Sequence, residues 1–519
     1  MKFSGWIQGA AVLAGVGCSP DKTADGPLDE TGLDSEMAES FDDAALRRAI
    51  EADMVALDVS AMAVAVLRNG ETVWVEGFGT LTPDGTEPVD GDSRFRVASV
   101  TKSMTAVAVL QQVDAGCLAL SDAITDHMPF EMQQQPGMAD GMQVAHTLNM
   151  TAGLYDVEAQ TGQDGDGFIE RFTAEMQRSL VLLAPPGRMY NYTNPSSVLA
   201  GRLVEICVDD FYRPYMDASV LGPLGLDRTT FDTDTVVSDG QYVSGVSKTW
   251  EGAMGADTVL DAESYAASHL WPAMGAWSSA RDIARLAEFW MAGDPTVLPD
   301  ALHAQMVTKQ VDREEGFPDA GYGFGLKIKT GIELGDAHYP VRMVSHGGTI
   351  FGYTAHVYTV PELGVGVVAL LNREMVTPTE TLAAGLDLAA RVDATASETA
   401  APDPATFAEL AGTYTHDIVM GDFIFTVEDG HLMVDIPSLD GAGLSYDRRL
   451  TAVRPDNFHL QIDGTVQLLS FLRGADGRPE YVRNRYYVGE RVDGALVPRT
   501  RPVPEAWRTG GWVLPDFGG

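Results

Sequence analysis

Apolar residues along this chain repeat with two different periods, and the architecture is expected to change where the period does. From Asp43 to Leu57 they recur at helical spacing. The stretch "AMAVAVLRNGETVWVEGFG" then alternates on both sides of Arg68-Asn69-Gly70, which predicts a β-hairpin. Residues 96–116, "RVASVTKSMTAVAVLQQVDAG", carry only Lys102 between Arg96 and Asp114 and are otherwise mostly small or apolar. Such a run predicts a helix buried on most of its faces. Helical segments and glycine-containing loops fill the chain from about Val113 to Leu298. Strands return in "FGYTAHVYTVPELGVGVVALLN" around a Pro361–Gly364 turn, and a helix is expected from about Thr377 to Val392. Sheet at both ends with helices between predicts one α/β domain, 44–395, with a helical subdomain inserted into a mostly antiparallel sheet.

"ATASETAAPDP", residues 394–404, reads as a linker, and beyond it the texture changes. "DFIFTVEDGHLMVDI" puts Phe423, Phe425 and Val427 on one strand face, with Leu432, Val434 and Ile436 across a turn. Alternation continues in "NFHLQI", "TVQLLSFL" and "EYVRNRYYV", with no helical pattern. The expectation is a separate all-β barrel over 406–500, joined through 396–405 and followed by a tail, 501–519. No internal repeat is present.

The 519 residues carry a formal net charge of −39, which disfavours nucleic acid as a partner. "MKFSGWIQGAAVLAGVGCSP" resembles a bacterial lipoprotein signal peptide ending at Cys18, too short to span a bilayer, with Gly15 where such signals usually have Leu. The expectation is export, lipidation of Cys18 and a periplasmic or outer-membrane location, with the anchor as the only membrane contact. An ordinary secretory signal is the alternative. The acidic segment 19–43 reads as a solvated tether. Cys117 and Cys207 either pair or stand as separate buried thiols, a choice that chain spacing does not make.

Chemistry enters with Lys102. Either its ammonium reaches water from an apolar helix, or it shares a helix face with Ser99, three residues earlier, where desolvation leaves a neutral amine that takes the serine proton. S-x-x-K also occurs at Ser19–Lys22, in a polar stretch with no core to support it. Y-x-N occurs once, at Tyr192–Asn194, after a Pro185-Pro186-Gly187 loop. There a phenol relays protons and an amide binds substrate, or the tyrosine simply packs on the surface. His346-Gly347-Gly348 precedes a strong strand, either as a point of close approach or as a glycine-rich edge.

In this order, S-x-x-K, Y-x-N and H-G-G resemble the serine β-lactamase and penicillin-recognising family, nearest its class C β-lactamase, DD-peptidase and esterase branch. The flanks "SRFRVASVTKSMTA", "HTLNMTAGL", "PAMGAWSSARDIARLAEF" and "YGFGLKI" agree, so the likeness spans about 44–392. The segment after 400 resembles the lipocalin-like domain appended to some members. The resemblance implies that Ser99 is the acylated nucleophile and that Lys102 and Tyr192 share proton transfers, without saying which is the base. It implies that Asn194 binds a substrate amide, that the Ser99 and Thr349 amides form the oxyanion hole beside Gly347 and Gly348, and that His346 binds a substrate carboxylate or completes the hydrogen-bond network. Met150 stands where many relatives have a second His. His346 in place of Lys makes a peptidase or esterase acting on D-amino acid peptides, amides or small esters the expected function, with a true β-lactamase as alternative. A non-catalytic binder or sensor on the same fold is the alternative of another class. Ten histidines form no H-E-x-x-H, no G-x-S-x-G elbow occurs, and no metal or cofactor is expected. The acidic loop 155–170 either receives a cationic amine or is merely solvated.

Overall fold

The computed structural model describes residues 41, 43–156, 165–248, 256–265, 267–313, 320–334, 337–396, 402–462, 465–492 and 500–501. The leader with Cys18, most of the acidic tether, the tail beyond Arg501 and 157–164 of the acidic loop lie outside them. Among the described residues no helix is long and apolar enough to cross a membrane.

Helix α1 (Asp43–Ala56) leads into the hairpin β1 (Ala61–Arg68) and β2 (Glu71–Gly79). Asn69 and Gly70 both take positive φ (54° and 81°), as a tight two-residue hairpin turn requires. Next come α2 (Thr101–Asp114), α3 (Asn194–Val208) and α4 (Ala280–Ala292). The strands return as β3 (Val311–Asp312), β4 (Gly321–Tyr322), β5 (Lys327–Leu334), β6 (Ala337–Ile350), β7 (Tyr353–Val360) and β8 (Val365–Leu371). Helix α5 (Thr379–Leu386) follows. The sheet runs β2-β1-β8-β7-β6-β5-β4-β3, antiparallel throughout, with Thr395–Ala396 paired to Ala337–His338. The first hairpin therefore docks on the last strand, and the helices lie in the chain between the two halves, as expected.

Strand β1 is buried on both faces. Ala61, Ala63, Ala65 and Leu67 point into the main core with α2 and α4, while Met62, Val64 and Val66 face the other side, where α5 lies against Val367. Helix α2 crosses the middle of that core, packed on α3 and on the short helix Trp271–Met274. It begins at Thr101 rather than Arg96. Before it come a short strand, Phe95–Arg96, and one 3₁₀ turn, Ala98–Val100, so Ser99 lies at the mouth of the helix and not within it. Beyond α2, Cys117 is disulfide-bonded to Cys207 of α3, with Cα atoms 6.0 Å apart. The helix expected to Val392 stops at Asp387, which turns left-handed (φ 51°).

The C-terminal strands are β9 (Gly412–His416), β10 (Gly421–Glu428), β11 (His431–Asp435), β12 (Thr451–Arg454), β13 (Asn457–Ile462), β14 (Thr465–Arg473), β15 (Pro479–Asn484) and β16 (Tyr487–Val492). Their order, β11-β10-β9-β16-β15-β14-β13-β12, is that of a nearly closed antiparallel barrel, its seam tied by backbone bonds from Val434 to Arg448 and from Leu450 to Leu432. Tyr414, Phe425, Phe458 and Phe471 meet edge-to-face inside it, and Phe423 stacks on Tyr487 at 4.0 Å. Phe423 and Phe425 are buried as the alternation predicts. Val427 is 38% exposed, because β10 outruns the interior at that end. The barrel core is also continuous with Val181, Leu183, Ala184 and Met189 of the first domain, so the two parts share apolar packing.

Candidate active site

Ser99 is held by a turn that the rest of the fold constrains. Ala98 takes φ 46°, a left-handed conformation that costs a non-glycine residue roughly 1–3 kcal/mol. The turn is fixed by the Val97 amide donating to Ala276 O at 3.1 Å and by Thr101 Oγ1 donating to Ala98 O at 2.6 Å. Strand β6 closes on the same turn, and here the two glycines differ. A Cβ on Gly348 would lie 2.2 Å from Val97 O and 2.8 Å from Ser99 N, whereas one on Gly347 would meet nothing nearer than 3.4 Å. Only glycine allows the strand so near the Ser99 backbone.

Lys102 Nζ sits 3.0 Å from Ser99 Oγ, 2.9 Å from Asn194 Oδ1 and 2.8 Å from Ala273 O, and the residue is 2% exposed. The snorkelling alternative is thereby excluded. Two of these partners can only accept. As an ammonium, Nζ donates to all three; once neutral, it keeps two hydrogens for these acceptors and can turn its lone pair to the Ser99 O–H, the arrangement a general base needs. Burial, followed by the charge of Arg485, holds the Lys102 pKa well below the ordinary lysine value, against the opposing charge of Asp156.

Tyr192 lies with its ring 4.8 Å from Lys102 Nζ. Burial raises its pKa, while its interaction with Ser99 and the charge of Arg485 oppose that rise. The phenol therefore keeps its proton, and its hydroxyl is enclosed without a hydrogen-bond partner among the described residues, not laid on the surface. Asn194 opens α3, where Pro195 suits the first turn, and its amide donates to Asp156 Oδ1 at 2.7 Å. His346 is enclosed. Gly347 O, 2.6 Å from Nδ1, can only accept, so Nδ1 carries the proton and Nε2 accepts from the Tyr322 hydroxyl at 2.9 Å. Burial first, and then the charges of Lys327 and Lys102, depress its pKa well below the ordinary histidine value. A neutral, doubly bonded imidazole completes a network and does not offer a cation to a carboxylate.

Ser99, Lys102, Tyr192, Asn194 and His346 thus converge, with Gly347, Gly348 and Thr349 on the strand alongside. Thr349 uses its hydroxyl on Tyr353 O and accepts from the Met375 amide. Met150 packs with Tyr190 and Tyr322 as an apolar wall behind His346. Three participants had no signal of their own in the sequence: Tyr322 within "YGFGLKI", Asp156 within the acidic loop, and Arg485 in the barrel. Asp156 is committed to Arg485 and to the Asn194 amide, so this carboxylate of the acidic loop is not available to a cationic amine. Among the described residues no group of three His, Cys, Asp or Glu is arranged to hold a metal ion.

Comparison with known proteins gives three kinds of likeness. The family model described as Beta-lactamase matches residues 46–391. Protein flp of Staphylococcus aureus (strain COL) is 23% identical over 332 residues, covering 62% of this chain and 61% of its own length, so the chain spans about three fifths of that relative. A beta-lactamase of Pseudomonas fluorescens is 23% identical over 347 residues, covering 62% of this chain and 91% of its own. Among solved structures, SurE superposes with a TM-score of 0.63 at 23% identity, over 87% of this chain and 98% of its own. The octameric penicillin-binding protein homologue from Pyrococcus abyssi gives 0.57 at 21%, over 86% and 99%. Coverage on that scale takes the shared fold beyond the first domain and into the barrel.

Proposed function

This chain belongs to the beta-lactamase family, and from that premise we propose that it is a serine hydrolase that forms an acyl-enzyme on Ser99 with D-amino acid peptides, amides or small esters. The observation that carries the reading is Lys102 Nζ, buried 3.0 Å from Ser99 Oγ, with Asn194 Oδ1 and Ala273 O as its other partners. In the proposed reaction Lys102 takes the Ser99 proton as Oγ attacks the carbonyl carbon. The developing oxyanion is held by the Ser99 and Thr349 amides, one such donor being worth about 3–4 kcal/mol. Tyr192, a neutral phenol, donates to the leaving amine or alcohol and is reprotonated from Lys102. Water then attacks the ester by the reverse proton path and frees Ser99.

The substrate class rests on His346. Its neutral, occupied ring lacks the cation with which a lysine at this position would hold a carboxylate next to a lactam nitrogen. D-Leu, with which SurE has been solved, is in keeping with a D-amino acid product. We extend the proposal to export, which the Cys117–Cys207 disulfide supports, since such bonds persist in oxidising compartments, and, on the leader sequence alone, to lipidation at Cys18. Kinship of the barrel with lipocalin-like domains is likewise proposed, on its eight-strand up-and-down order.

The test is a hydrolysis panel on purified protein with D-amino acid amides, p-nitrophenyl esters and a penicillin, using Ser99→Ala as control. Turnover of the first two, with a slowly released penicilloyl adduct on the Ser99 peptide, is expected. Rapid penicillin turnover with esters untouched would make the protein a true β-lactamase, and no acylation by any of them would make it a binder.

A further inference from the structure

The barrel sends an arginine side chain toward the site. The turn between β15 and β16 carries Arg485, whose Nε and guanidinium NH₂ both donate to Asp156 Oδ2. The Asp156 side chain is 1% exposed, and that of Arg485 is 20% exposed. The other Asp156 oxygen accepts from the Asn194 amide at 2.7 Å, and Asn194 Oδ1 accepts from Lys102 Nζ at 2.9 Å. A chain of contacts therefore runs from barrel to base: guanidinium, carboxylate, helix start, amine. The same guanidinium stands 5.2 Å from the centre of the Tyr192 ring, and its backbone carbonyl accepts from Asn191 Nδ2 at 3.2 Å. Lys102, through Asp156 and Asn194, and Tyr192, directly, are thus both reached from one residue of the second domain.

We propose that Arg485 is a positioning residue of the hydrolase site, which through Asp156 and the Tyr192 ring aligns Lys102 and Tyr192 on Ser99. The proposal rests on the serine-hydrolase reading above. An alternative occupation of Arg485, as a mere clasp between domains, would be met by its ion pair with Asp156 alone. It would not require the carboxylate's second oxygen to hold the residue that orients the lysine.

The charged groups facing Lys102 and Tyr192 are Asp156, Arg485 and Arg313, with Tyr322 and His346 as neutral titratable neighbours and Lys327 acting on His346. The charge of Arg485 favours the neutral amine, and that of Asp156 opposes it. Removing the cation raises the pKa of the pair, and removing the anion lowers it. The acid limb of kcat/KM reports that base in the free enzyme, so the two substitutions move it in opposite directions.

The experiment uses the full chain, first titrating Ser99 with a fluorophosphonate and then measuring pH profiles with a p-nitrophenyl ester. Arg485→Ala should lower kcat roughly 10- to 100-fold with KM nearly unchanged, and move the limb about one pH unit alkaline. Asp156→Asn should move it acidic, and Arg485→Lys should return it to the wild-type position with partial recovery of kcat. Near-UV circular dichroism checks folding. If Arg485→Ala does not fold, an acidic shift in Asp156→Asn beside an unshifted limb and reduced kcat in Arg485→Lys decides the matter. A folded Arg485→Ala or Asp156→Asn whose limb superimposes on the wild type, or the two moving the same way, overturns the proposal while leaving the hydrolase intact. Wild-type protein that takes no fluorophosphonate label overturns the hydrolase reading and this one with it.

Discussion

Two adjacent glycines of one motif should respond oppositely to the same methyl group. Alanine at Gly348 would put its Cβ 2.2 Å from Val97 O, 2.8 Å from Ser99 N and 3.0 Å from Ala98 Cβ, all in the turn that carries Ser99. Two of these are backbone atoms, so no rotamer relieves the contact. Restoring ordinary van der Waals spacing needs strand and turn to part by roughly 1 Å. The Ser99 and Thr349 amides would part with them, although both must stay about 2.7–3.1 Å from one oxyanion. Displacements of that size cost about 10²-fold, and losing one donor outright about 10²–10³-fold. Gly348→Ala should therefore lower kcat on a small ester by about 10²–10³-fold, with a stability loss of about 1–3 kcal/mol from overpacking. Gly347→Ala brings its methyl to 3.4 Å from Ala355 O and 3.9 Å from His356 Nδ1, which is ordinary contact, so its kcat should stay within about threefold of wild type. Steady-state kinetics and the rate of Ser99 acylation by intact mass measure both. A folded Gly348→Ala with wild-type acylation would refute the oxyanion-hole geometry, and equal losses in the two variants would refute the steric argument.

Lys102→Arg should reduce turnover by about 10²–10⁴-fold, because guanidinium stays protonated and is too large for a site with three oxygens within 3.0 Å; wild-type rates would remove Lys102 from the mechanism. His269, 1% exposed and packed on Phe172, is held down to about 4 by burial. With an unfolded value near 6.5, the unfolded chain binds its proton first as pH falls, so stability should be full above about pH 6.5 and lose about 3 kcal/mol by pH 4. His269→Phe should flatten that slope in urea melts from pH 7 to 4, and parallel curves for the two proteins would contradict the assignment. The disulfide closes a segment of sequence separation 90. Its Cys117→Ser/Cys207→Ser variant should lose about 2–5 kcal/mol in urea unfolding yet keep its rates at 25 °C, the bridge lying about 20 Å along α3 from Asn194; an unchanged midpoint would count against the bridge as a stabiliser.

Much of this molecule is local, and what is local was legible along the chain. Ser99 and Lys102 are three residues apart, and one helical turn is enough to bring them to 3.0 Å. Asn69-Gly70 makes its own hairpin, and the alternation of Phe423 with Phe425 and of Leu432 with Val434 turns those residues inward whatever else the barrel does. Periodicity needs no partner, so it announces buried faces and element types. It does not announce where a strand outruns its sheet, and Val427 was expected inside for that reason. What remained hidden depends on partners far away in sequence. Arg485 meets Asp156 across 329 positions, Tyr322 meets His346 across 24, and Cys117 meets Cys207 across 90. A charge in a list of residues has no dielectric around it and no neighbour. Only the packed fold desolvates Lys102 and His346, sets Arg485 near both Lys102 and Tyr192, and so shifts these groups toward their neutral forms.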